Sequence, residues 1–125
     1  MPIRVRNFDY HPRVDTKNWA HEEERTFTFM DNGIDVAPPE DHPEYGTSYA
    51  YTVNWIDMPD HVKFESKDEF RTLWIRSRSS LAIALQNVLT TLNPFLRGRT
   101  LKIMRLIPEN KRDYANYRFT IEEIA

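Results

Sequence analysis

The stretch from Ser79 to Pro94 constrains this chain most. It is the only segment with a clear helical period. Leu81, Leu85, Val88 and Leu92 recur at i, i+4, i+7 and i+11, and Ala84 and Leu89 widen the same stripe. Ser79 or Ser80 can accept a backbone N–H at the start. Pro94 cannot continue a helix and biases Asn93 out of the helical region. The spacing therefore predicts a helix over 80–93. Its stripe carries no charge, so it reads as the plug of a core that other elements build.

Those other elements read as strands on both sides of the helix. Thr26–Met30 alternates β-branched and aromatic residues. Tyr49, Tyr51, Val53 and Trp55 alternate with Ala50, Thr52, Asn54 and Ile56. Val62 and Phe64 read as a short strand, followed by a turn at 66–69. Phe70, Thr72, Trp74 and Arg76 then alternate with Arg71, Leu73, Ile75 and Ser77. After the helix, 100–107 reads as a strand with Leu101, Ile103 and Ile107 on one face. Tyr117, Phe119 and Ile121 begin the last strand. Near the N-terminus, Ile3–Phe8 alternates and reads as another short strand, 10–17 as loop, and Trp19 as a clasp onto the core.

A chain of 125 residues is one domain by length and can bury a core without staples. We expect a core over 48–125, with residues 1–47 as an N-terminal extension carrying an acidic arm. The fold class is mainly β, a β-rich α+β arrangement. The strand order matches a small OB-like β-barrel with one helix before its last two strands, a common host for oligonucleotides. A β-sandwich or an α+β roll would produce the same order of elements.

The absence of cysteine excludes disulfides and thiolate metal sites. No apolar run approaches the span of a membrane, and Met1–Arg6 lacks the apolar core of a signal peptide. The expectation is a soluble cytoplasmic protein, in the host cytoplasm if it is viral, with no membrane partner. His11, His21, His42 and His61 form no metal-binding spacing, and no phosphate-cradling or nucleophile motif occurs. We expect neither an enzyme nor a cofactor.

Charge is divided along the chain. Residues 1–60 carry five Lys/Arg against twelve Asp/Glu, and residues 61–125 carry twelve against seven. Such a division can produce a basic face at an unremarkable overall charge. In the basic half, cations are interleaved with aromatics on strands. Single-stranded nucleic-acid binders need this pairing, because cations track phosphates while aromatic faces stack bases. The candidate nucleic-acid-binding residues are Arg71, Trp74, Arg76, Arg78, Arg97, Arg99, Lys102, Arg105, Tyr117 and Arg118. If Leu73 and Ile75 point inward, Trp74 and Arg76 stand on the outer face, where a base can stack.

The segment from Phe95 to Ile103, with Gly98 before a strand, and the closing Tyr117–Ile121 strand resemble the C-terminal half of small phage and mobile-element single-stranded-DNA-binding proteins of the OB type. The resemblance covers roughly residues 60–124. It implies a role in DNA replication, with single-stranded DNA or RNA as partner. The chain ends Ile121-Glu122-Glu123-Ile124-Ala125, without the acidic tail that bacterial single-strand-binding proteins use to recruit partners.

Residues 31–60 open two further readings. Asp31, Asp35, Glu40, Asp41, Glu44, Asp57 and Asp60 lie there without a single Lys or Arg. This arm suits a small viral or accessory protein that binds or inhibits a basic partner, or an arm that folds over the protein's own basic groove. Exposed aromatics with Met58 or Met104 would suit contacts in a homo-oligomer.

Overall fold

Alternating apolar residues build a sheet in the computed structural model, which describes residues 11–14 and 16–124. The strands are β1 (Arg13–Val14), β2 (Glu24–Phe29), β3 (Ile34–Val36), β4 (Ser48–Trp55), β5 (Arg71–Arg76), β6 (Thr100–Leu106) and β7 (Arg118–Ile124). Two helices, α1 (Asp60–Glu65) and α2 (Ser80–Val88), and two 3-10 turns, Pro43–Tyr45 and Tyr114–Asn116, complete the order. The seven strands form one sheet, β1-β5-β4-β2-β6-β7, with β3 pairing β4 on the edge that β2 also uses. β1 and β5 are parallel, and the other pairs are antiparallel. The protein is mainly β, and the sheet does not close among the described residues.

The inner face carries Phe27, Phe29, Val53, Leu73, Leu101 and Ile103, all fully buried. Each contributes on the order of 2 kcal/mol of transfer free energy. Helix α2 packs on β7 and β5, so it lies across the seam between the two sides of the curled sheet. Its Leu81, Ala82 and Leu85 enter the core. The Ser79 hydroxyl accepts from Ala82 N at 3.2 Å, the cap expected from the sequence.

The helix is shorter than its apolar stripe suggests. It ends at Val88, and Leu92 is 97% exposed. Thr90 and Thr91 are poor helix formers. Arg99 donates to Val88 O at 3.1 Å and fixes the terminus there. The strand expected at Val62 and Phe64 is helix α1 instead. Pro59 caps it in extended conformation and Asp60 opens its first turn, a helix-start signal that the local alternation obscured. Only Val62 of the two packs on the core, while Phe64 is 89% exposed.

Residues 13–36, read from the sequence as part of an extension, supply three strands, and β2 lies between β4 and β6 in the sheet. Trp19 is buried against Phe27 and Phe119, at ring distances of 6.3 and 5.4 Å, so it does clasp the core. The strand expected at Ile3–Phe8 lies outside the described residues. The acidic arm begins as β3 and includes the Pro43–Tyr45 turn. Between β2 and β3 the Asp31 carboxylate accepts from Gly33 N at 2.9 Å and Thr52 N at 3.2 Å. Gly33 has φ +78°, and a Cβ there would stand 2.5 Å from the Tyr51 ring. The turn and the close approach both require glycine.

Candidate functional site

Strand β1 is only two residues long, pairing Arg13 with Thr72 and Val14 with Leu73. Among the described residues the β1–β5 pairing stops there, before Trp74. Leu73 and Ile75 are buried, so alternation turns Trp74 and Arg76 to the opposite face. A cleft of about 550 Å³ opens along this side of β5, where the curled sheet brings β7 near it. Arg13, Lys17 and Arg76 surround it, and Trp74, Phe119 and Leu81 form its apolar walls. Among the described residues no Asp or Glu lines it. The Arg13 guanidinium lies 4.1 Å from the centre of the Trp74 ring.

A second cavity, of about 690 Å³, continues from the first through the shared Arg76 and Ser79. It runs between the acidic arm and the start of α2, with Arg78 and Ser77 on one side and Glu44 and Tyr45 on the other. Tyr45 has two ring neighbours. The Arg76 guanidinium stands 5.0 Å from its ring centre, and the His42 ring stacks on it at 4.6 Å and 9°. His42 Nδ1 is 3.0 Å from Glu44 Oε1, and this hydrogen bond holds the Glu44 carboxyl below its ordinary range.

The sequence-derived set divides over the molecule. Trp74, Arg76 and Arg78 come together along the two adjoining cavities. Arg71 does not join them. It is 2% exposed and donates to the carbonyls of Asp68, Phe70, Val62 and Ser66, so it ties the loop after α1 to the sheet. Arg99 grips Glu123 with two bonds, 2.8 and 2.7 Å, and also donates to Val88, Phe95 and Asn93 carbonyls. Arg105 donates to the carbonyls of Lys17 and Trp19, and its guanidinium lies 5.3 Å from the Tyr117 ring centre. Lys102 faces Glu24 across the β2–β6 pair at 3.9 Å. Tyr117 donates its hydroxyl to Lys111 O at 2.7 Å, and its ring neighbours Tyr114 at 5.6 Å. Arg97 is exposed on the turn before β6, and Arg118 is exposed at the start of β7.

Three residues of the cleft were missed by sequence reasoning: Arg13, Lys17 and Phe119. Arg13 and Lys17 stand out only as cations in an otherwise acidic half. Phe119 reads as a residue of the last strand, but nothing local brings it to the edge of β5. No group of three or more His, Asp or Glu able to hold a metal exists among the described residues. No helix among them is long and apolar enough to cross a membrane.

No family model, curated protein or solved structure matches this chain. The site is therefore read from its own geometry.

Proposed function

We propose that this protein binds single-stranded nucleic acid, with little sequence preference, in the cleft along the outer side of β5. The observation that carries the reading is the cleft beside Trp74, bordered by Arg13, Lys17 and Arg76 and lined by no described acid. Cations beside an aromatic plane meet the two needs of such a ligand, phosphate neutralisation and base stacking. Arg13 layered on Trp74 adds a flat guanidinium on which a base can stack or which can fork onto phosphate. Arg78 extends the cationic path into the second cavity.

Topology supports an OB-type reading of the sheet. The five longer strands run β5-β4-β2-β6-β7 in space, with α2 between the third and fourth of them in chain order. That order is the one expected of an OB barrel left open between its third and fifth strands. On this reading β4 and β5 are the second and third strands, the face that OB barrels use for oligonucleotides. The 30–47 and 107–117 connections are then the two loops that flank it.

The test is tryptophan fluorescence against a mixed single-stranded DNA oligomer at several salt concentrations. Trp19 and Trp55 are buried, so quenching by ligand reports chiefly on Trp74. Quenching is expected, lost in Trp74→Ala, with a log–log salt slope of about −0.7 for each phosphate neutralised. Absence of both quenching and a band shift at low salt overturns the reading and directs attention to a basic protein partner for residues 31–60.

A further inference from the structure

Arg71 and Trp55 share the inner face at the other end of the sheet. Arg71 pairs with Val53, and Trp55 is the next inward residue along β4. Both carry unmet polar capacity. The buried Arg71 guanidinium meets only backbone carbonyls, two of them at 3.5 Å, and makes no ion pair with any described carboxylate. Carbonyls satisfy N–H groups without neutralising the charge, and the carboxylate whose field reaches Arg71, that of Asp68, lies beyond ion-pair distance and is bonded to His11. Trp55 is 6% exposed, and its buried indole Nε1 has no hydrogen-bond partner among the described residues. Buried donors are generally paired, so an orphan one needs an explanation.

Both residues line one cavity of about 390 Å³, within the range of small-ligand pockets. Arg13 and Arg25 line it too. Arg25 is fixed over the indole, 4.7 Å from the Trp55 ring and 4.4 Å from that of Trp19, with its Nε bonded to Glu23 at 2.7 Å. Glu65, an exposed residue, is the one described carboxylate on the lining.

We propose that this cavity binds a small oxyanion, whose oxygens accept from Trp55 Nε1 and add a close counter-charge for Arg71, which the more distant Asp68 carboxylate serves only weakly. Carboxylate and phosphate ions share that chemistry. The site is separate from the proposed nucleic-acid groove and touches it only through Arg13 and Val14.

The test is the three indole N–H resonances of the full chain, followed by 1H–15N correlation spectra without nucleic acid. Sodium phosphate is titrated in one arm and sodium acetate in another, with chloride balancing ionic strength. Trp55→Phe assigns the resonance and removes the donor while keeping the ring plane. Saturable movement of the Trp55 resonance alone supports the site. Movement in one arm only identifies which oxyanion it takes. An anion-dependent rise in melting temperature should accompany it, with the midpoint moved about tenfold higher in Trp55→Phe or Arg71→Lys. A Trp55 resonance unmoved by both anions overturns the proposal. So does common movement of all three indoles, or its reproduction by chloride.

Discussion

Arg71 and Arg76 stand at the two ends of β5, five residues apart on opposite faces, and folding uses them differently. Arg71 shares the inner face with Leu73 and Ile75, where burial commits its guanidinium to carbonyls. Arg76 shares the outer face with Trp74, beside the cleft, and stays exposed. The two cations are identical in composition and net charge. Parity along one strand decides which of them holds the loop and which can meet a ligand. Arg99 and Arg105 belong with Arg71, since both spend their donors within the fold, Arg99 on Glu123 and on carbonyls, Arg105 on carbonyls. Arg13 and Arg78 belong with Arg76.

The largest expected effect breaks the inner end. Arg71→Ala should lose about 3 kcal/mol of stability, from orphaned carbonyls and lost packing. Urea unfolding checks this, and a change below about 0.5 kcal/mol, the scale of ordinary surface substitutions, would place Arg71 with the outer set. Trp74→Ala should do the reverse. Affinity for single-stranded DNA should fall about tenfold, within the 1–3 kcal/mol roughly expected per stacked base, while the urea midpoint barely moves. Arg76→Ala should weaken binding less and flatten the log–log salt slope by about 0.7. The same substitution at Arg99 should leave that slope alone.

The smallest effects appear in pH titrations. Arg99 holds the Glu123 carboxyl below its ordinary value of 4.5. A lowered carboxylate stabilises the fold above its unfolded pKa, and that contribution fades as pH falls through the folded one. Wild-type stability should therefore drop more steeply with acid below about pH 4.5 than that of Glu123→Gln. At the alkaline end, burial pushes the Tyr51 phenol up to about 12, helped by Tyr49, Asp35 and Asp31 nearby. A raised phenol favours the fold below its unfolded pKa, so stability should fall as pH rises from 10 towards 12, and less so in Tyr51→Phe.

Much of this arrangement was legible because it is local. Alternation placed Trp74 and Arg76 opposite Leu73 and Ile75, and the Ser79 cap and the strand around Val53 read directly. The same alternation put Arg71 on the inner side, yet the count of basic residues grouped it with the phosphate contacts. Burial follows the face, even for arginine, when carbonyls are at hand. Helix α1 was hidden because Val62 and Phe64 repeat at two residues while Pro59-Asp60 sets a helix start. The cleft itself was not legible. Its walls come from a two-residue parallel pairing at Arg13 and from Phe119, more than 100 residues away in the chain. No local pattern encodes a contact of that range.

Photo-crosslinking tests the central claim most directly. A single-stranded oligomer bearing 5-iodouracil would be irradiated with the full chain at low salt and the adducts mapped by mass spectrometry. The account predicts adducts at Trp74 or Phe119, competed away by unlabelled single strands and lost in Trp74→Ala for the β5 peptide. Adducts confined to peptides remote from the β5 edge, or no competable adduct at all, would contradict it.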